Sequence, residues 1–192
     1  MFYALPDLIY DINYLVKQYN RIKNSNKWRQ YGKDPLNSIF VHDAIAPEII
    51  SKFKPGILSN QVKFAKMLSG GGAQCHTDTR QCGILIPVIV EKGQVTNIHK
   101  KITPESQPDH LNLEGDESLK LYESPIIDSF YLDTPFILNT HSPHSVTVNS
   151  NADRVILTLS VNDKYDNFEL LKSMHKKGEL LGYTTHNMNS FL

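Results

Sequence analysis

From residue 62 to residue 161 the chain is written in short β-patterned runs, each broken by Gly, Pro, Asn, Asp or Ser after about ten residues or fewer. The runs fall at 62–68, 83–90, 95–99, 119–123, 127–132 and 136–140, followed by 144–148 and a returning run from Arg154. None is long enough for an ordinary helix, and Val, Ile, Leu and Phe dominate them. Many short strands with regular turns favour a jelly roll over a helical fold. Helical spacing is confined to the flanks. Leu8, Ile9, Ile12, Leu15 and Val16 predict a helix over 5–19, residues 46–53 predict a short one closed by Pro55-Gly56, and 166–181 predict a third ended by Gly182. The expected class is therefore mainly β with flanking helices. Residues 1–192 read as one domain: an N-terminal helical layer (1–60), a jelly-roll core (61–163), and a C-terminal helix and tail (164–192).

Within the core stands the sole His-x-Asp of the chain, His76-Thr77-Asp78. If 74–78 is a strand, side chains at i and i+2 share a face with Cα atoms about 7 Å apart, so His76 and Asp78 can converge on one ion. A second His must come from a neighbouring strand. The segment 144–162 reads as a hairpin, with a strand from His144 to Val148, a turn rich in Asn, Ser and Asp, and a return from Arg154. That fold-back would bring Arg154, one of four arginines, beside His144. In the return, Val155, Leu157, Leu159 and Val161 form one apolar face, and Arg154, Ile156, Thr158 and Ser160 form the other. An inward-facing cation needs an anionic partner. Two His and one acid are the ligand set of the facial triad, which holds Fe(II) and leaves open coordination positions. With twelve Asp and eight His, a chance His-x-Asp is roughly an even bet, and only its combination with His144 and with Arg154 ten residues later makes it specific.

These residues give the chain a resemblance to the Fe(II)- and 2-oxoglutarate-dependent oxygenases of the double-stranded β-helix type. His76-Thr77-Asp78, the run Pro135 to Thr140 leading into Pro143-His144-Ser145-Val146, and Arg154 carry it, over about residues 60–163. The chain looks most similar to the small prolyl- and aspartyl/asparaginyl-hydroxylase-like members. One departure concerns the strand after His-x-Asp, where such relatives often carry Asn before Ile-Pro and this chain has Leu85 before Ile86-Pro87. The resemblance implies that His76, Asp78 and His144 are the catalytic iron ligands. It also implies that Arg154 pairs with the distal carboxylate of 2-oxoglutarate, a task that suits a planar guanidinium. Thr158 and Ser160, on the same inferred face, are candidates to assist that carboxylate, with backbone-bonded strand hydroxyls as the alternative. The implied cofactors are Fe(II), 2-oxoglutarate as co-substrate and O2, with ascorbate as an accessory reductant. The implied reaction couples decarboxylation to succinate and CO2 with hydroxylation of a protein side chain or a small amino-acid-like molecule.

Other residues offer alternatives to this set. His141 is the rival distal ligand, but Pro143 separates it from the strand. Arg80 could contact substrate or be a solvated loop arginine. Cys75 and Cys82 invite a zinc reading with His76, yet six residues intervene where zinc sites favour Cys-x-x-Cys, so two buried thiols are expected. His42, His99, His110, His175 and His186 lack partners at ligand spacing and read as surface or core polar residues. Ser69-Gly70-Gly71-Gly72 reads as the turn into the strand of His76, since no helix or Lys-Ser/Thr follows to cradle phosphate.

Twenty basic and twenty acidic residues leave no net charge, which counts against nucleic acid as a partner and hence against an oxidative demethylase. The cluster Arg21, Lys23, Lys27 and Arg29 reads as a solvated patch. No apolar run approaches the roughly 20 residues of a membrane span, and two cysteines without a secretory signal predict a cytoplasmic location. The polar stretch 100–118 is a candidate lid. A non-catalytic jelly-roll protein that binds metal or 2-oxoglutarate is the alternative from a different class.

Overall fold

The computed structural model describes residues 2–31, 38–78, 80–101 and 124–183. The expected strand 119–123, most of the candidate lid, His110, His186 and the tail from 184 lie outside them. In chain order the elements are β1 (Phe2–Ala4), α1 (Ile12–Ile22), β2 (Arg29–Gln30), β3 (Ile39–Asp43), α2 (Pro47–Ile50), β4 (Leu58–Met67) and β5 (Gly72–His76). There follow β6 (Cys82–Ile89), β7 (Gln94–His99), β8 (Ile126–Tyr131), β9 (Phe136–Asn139), β10 (His144–Val148), β11 (Arg154–Val161) and α3 (Phe168–Lys176). They build a seven-stranded sheet, β1-β9-β6-β11-β4-β3-β2, and a four-stranded sheet, β5-β10-β7-β8, antiparallel throughout. This is the mainly-β jelly roll that the strand pattern predicts.

Two apolar clusters hold the layers together. One lies on the outer face of the larger sheet, where Val62, Phe64, Ile84, Ile86, Val155 and Leu157 pack with Leu15 and Tyr19 of α1 and Phe168 and Leu171 of α3. The other lies between the sheets, where Met67, Ile156 and Leu138 of one meet Ala73, Ile98 and Val148 of the other. Period-2 alternation along β11 thus serves both, with Val155, Leu157, Leu159 and Val161 turned to the helices and Ile156 turned inward.

The flanks differ from the sequence expectation. The N-terminal helix is α1, not 5–19: Phe2–Ala4 adds a strand to β9, and Asp11 starts the helix by accepting hydrogen bonds from the backbone N–H groups of Asn13 and Tyr14. Leu8 is buried in the outer core without being helical. Helical spacing and a buried turn share the same apolar residues here, and the cap decides. The last helix begins at its Asn167 cap and ends before Gly178 (φ +69°) rather than at Gly182, because Gly178 takes the left-handed turn that stops it.

The largest correction concerns 144–162. Its strand boundaries are as expected, but the strands do not pair as a hairpin. β10 bonds to β5 and β7, β11 bonds to β4 and β6, and the turn between them crosses from one sheet to the other.

Candidate metal centre

β5 ends at His76, so Asp78 lies just beyond the strand and not on its i, i+2 face. Its position comes instead from its backbone N–H, which donates to the Thr140 carbonyl at 2.9 Å. His76 owes its direction to a bulge. Ala73 is opposite Val146 and His76 is opposite His144, so Gln74 and Cys75 together face the single residue Ser145. Without the extra residue His76 would point to the face opposite Ala73. With it, Ala73 and His76 both turn inward.

Each histidine is fixed by its Nδ1. That of His76 meets the Gln74 carbonyl at 2.7 Å and that of His144 meets the Ser142 carbonyl at 3.0 Å. A carbonyl only accepts, so both Nδ1 atoms carry the proton and both Nε2 atoms offer a lone pair. Those lone pairs converge on Asp78. His76 Nε2 is 3.7 Å from Asp78 Oδ1, and His144 Nε2 is 4.0 Å from Oδ2. One ligand atom from each of the three lies within 4.8 Å of the others. These separations are too long for hydrogen bonds, so the groups face a common point without satisfying one another. Burial holds His144 down at about 3, with His76 adding to the effect, and keeps it neutral as a metal ligand must be. Burial pushes the Asp78 carboxyl up, opposed by His76 and by the Tyr31 hydroxyl 3.5 Å away. A divalent ion at the common point would relieve that desolvated carboxylate.

The three residues line a cavity of about 240 Å³ between the sheets. Arg154 lines it too, reaching in from the facing sheet. It is 1% exposed, and its Nη2 donates to Thr96 Oγ1 at 2.9 Å, while Nε and Nη1 are buried without partners. Burial pushes it down to about 10, so it is still cationic at neutral pH.

Thr158 and Ser160 line the cavity, and the Thr158 hydroxyl donates to the Lys63 carbonyl at 3.2 Å, the backbone-bonded alternative. Arg80 lines the cavity as well, donating to the Val161 carbonyl and to Gln61. His141 is exposed and stands outside the ligand group, and Leu85 lines the cavity wall. Cys75 and Cys82 are free, buried thiols, neither part of a metal-ligand group among the described residues. His99 is a core polar residue bonded to the Ser124 carbonyl and to Ser145, His42 bonds Ser25 and the Asp43 carbonyl, and His175 pairs with Asp7 at 2.6 Å. Sequence reading missed Thr96 and Tyr31. The alternation of β7, which puts Thr96 on the face of buried Ile98, was the available signal for the first; Tyr31 had none.

No family model matches the chain, and no curated protein matches it in sequence. Solved structures match in fold. A prolyl hydroxylase from Trichoplax adhaerens, in complex with a hypoxia inducible factor oxygen degradation domain peptide fragment, is 14% identical, with 86% of this chain and 84% of that one covered at a TM-score of 0.54. The non-heme alpha ketoglutarate dependent carbocyclase SnoK from nogalamycin biosynthesis is 9% identical (82% and 78% covered, TM-score 0.55). The alpha ketoglutarate dependent epimerase SnoN from the same biosynthesis is 10% identical (82% and 76% covered, TM-score 0.53). At these identities the likeness is one of fold. Among the described residues, no helix is long and apolar enough to cross a membrane.

Proposed function

We propose that this single-domain chain is an Fe(II)- and 2-oxoglutarate-dependent dioxygenase that hydroxylates a protein side chain or a small amino-acid-like molecule. Arg154 carries the reading. Its guanidinium is buried, with two idle donors, in the cavity that also holds His76, Asp78 and His144. A buried cation in that state costs several kcal/mol until an anion pairs with it. A carboxylate accepting from two of its N–H groups removes the cost, and 2-oxoglutarate has one carboxylate to spare when its other end chelates a metal.

In this reading His76, Asp78 and His144 hold the iron through Nε2, a carboxylate oxygen and Nε2. Arg154, braced by Thr96, orients the distal carboxylate of 2-oxoglutarate. Bound iron and 2-oxoglutarate supply the oxidising chemistry, in which O2 is consumed, succinate and CO2 are released and an unactivated carbon gains a hydroxyl. The chain's own contribution is direction and dryness. Ile39, Ala65, Met67, Val146 and Ile156 wall the cavity, which keeps water from the reacting centre. Leu85 offers no hydrogen bond on that wall, and Thr96 lines the same cavity with its hydroxyl bonded to Arg154. A substrate carried on a peptide is the first class to test, because the prolyl hydroxylase of like fold is seen with a peptide fragment. Two free thiols and the need for ferrous iron favour the cytoplasm.

The test is succinate formation under air with Fe(II), ascorbate and 2-oxoglutarate and no added substrate. Slow turnover that disappears in Asp78→Ala is the expected result. Equal turnover by that variant, or no 2-oxoglutarate binding by the wild-type protein, overturns the reading.

A further inference from the structure

The cavity wall carries charge beyond Arg154. β4 runs antiparallel to β11 with Met67 opposite Arg154, Ala65 opposite Ile156 and Lys63 opposite Thr158. Lys63, Ala65 and Met67 all line the cavity, and so does Gln61. Lys63 therefore stands about 13 Å along the strand from the level of Arg154. The metal-ligand histidines are displaced the same way, since His144 and His76 lie beyond the Val146 and Ala73 pair that borders Thr96. Arg80 joins Lys63 at this end. Its Nη1 donates to the Val161 carbonyl at 3.4 Å and its Nη2 to Gln61 Oε1 at 3.3 Å, both long and both to neutral acceptors.

Among the described residues no ion pair involves Lys63 or Arg80, and the Lys63 ammonium has no hydrogen-bond acceptor. The carboxylates nearby are already engaged. Asp43, opposite Lys63 on β3, pairs with Arg29 at 3.0 Å; Asp166 accepts from the backbone N–H groups of Gln81 and Cys82 at 3.0 and 2.9 Å, and Asp78 faces the two histidines. Two half-buried cations line one cavity wall, neither in an ion pair among the described residues, and an anion seated between them would gain from both. 2-Oxoglutarate does not fill that role: held between Arg154 and the metal, both its carboxylates are engaged, and a five-carbon chain is too short to reach further.

We propose that Lys63 and Arg80 form a subsite for a carboxylate of the substrate, so that the molecule oxidised is acidic: an aspartyl or glutamyl side chain, or the corresponding free amino acid. The proposal takes its orientation toward the reacting centre from the oxygenase reading, but anion binding at Lys63 and Arg80 stands without it. Arg80 has a planar fork that can donate to a carboxylate bidentately, and Lys63, two residues along β4 from the Gln61 that Arg80 bonds, adds a point charge.

The experiment is calorimetric titration of N-acetyl-L-aspartyl amide, N-acetyl-L-asparaginyl amide and free L-aspartate into the protein loaded with Mn(II) and 2-oxoglutarate, and into the protein without either. The aspartyl amide is expected to bind at least about tenfold more tightly than the asparaginyl amide, with Lys63→Met and Arg80→Gln each removing about tenfold and Lys63→Arg restoring most of it. 2-Oxoglutarate affinity is expected to stay within about twofold in all three variants. Comparison of the amide with free aspartate separates a residue in a chain from a free amino acid. Equal binding of the aspartyl and asparaginyl probes, no binding of any acidic probe, or parallel loss of 2-oxoglutarate in Lys63→Met overturns the subsite. Aspartyl binding that depends on Lys63 and Arg80 in a protein that binds neither Mn(II) nor 2-oxoglutarate keeps the subsite and overturns the oxygenase reading instead.

Discussion

Arg154 on β11 donates to the hydroxyl of Thr96 on β7 at 2.9 Å, joining residues 58 apart across the space between the two sheets and leaving two guanidinium nitrogens unpartnered. The bond aims the fork into the cavity without consuming it. Arg154→Gln is expected to weaken 2-oxoglutarate binding by about 2–5 kcal/mol, and Thr96→Val by about 1 kcal/mol, with metal affinity retained in both. Titration of 2-oxoglutarate into the Mn(II)-loaded variants measures this; unchanged affinity in Arg154→Gln would remove the carboxylate from Arg154.

Stability should move the other way. Without ligand, Arg154 is a buried charge with incomplete bonding, and replacing such a charge by an apolar side chain of similar volume is often neutral or stabilising. Arg154→Met is therefore expected to keep or raise the melting temperature of the ligand-free protein while abolishing the rise that 2-oxoglutarate causes in the wild type. A large loss of ligand-free stability would mean that the guanidinium is a structural strut.

Metal binding separates the two rival histidines. Asp78→Ala and His144→Ala are each expected to reduce Mn(II) or Fe(II) affinity by more than about 100-fold, beyond the cost of losing an outer-shell partner. His141→Ala, altering an exposed residue outside the ligand group, should stay near wild type. Metal loss in His141→Ala alone would reassign the distal ligand.

Gly72 tests the backbone that turns His76 inward. It sits at φ +146°, and a Cβ there would meet the Val146 carbonyl oxygen at 1.9 Å. Gly72→Ala must open the β5–β10 pairing, at about 2–4 kcal/mol. Denaturant unfolding reads the cost, and metal affinity should fall with it because the bulge aligning His76 lies in the same pairing.

Acid should destabilise the metal-free protein through His144. Its folded pKa is held near 3 by burial, whereas an unfolded histidine titrates near 6.5. Between those values the unfolded chain binds the proton and the folded chain does not, so stability falls as pH falls. Asp78 acts in the opposite sense: its raised folded pKa means that stability is lost as pH rises above the unfolded carboxylate range. Melting temperatures of wild type and His144→Gln from pH 7 to pH 4 should show a shallower acid loss in the variant. Parallel curves would place the proton uptake elsewhere.

Alternation of apolar residues along 144–148 and 154–161 was enough to place both strands and to separate the Arg154 face from the Val155 face, and His-x-Asp with Arg154 ten residues beyond His144 marked the candidate site. These are local properties, because a strand's two faces follow from a period of two whatever its neighbours are. Three decisions were not local. The turn 149–153 sends β11 into the sheet facing β10, so His144 and Arg154 meet across a cavity rather than along a hairpin. The bulge at Gln74 and Cys75 turns His76 inward, and the Thr140 carbonyl brings Asp78 to it from beyond the strand. Thr96 and Tyr31 reach the site from segments that sequence spacing does not connect to it. Which strand a strand bonds to, in what register and with which bulge depends on partners far away in the chain, and those are selected by how two apolar faces close over one core.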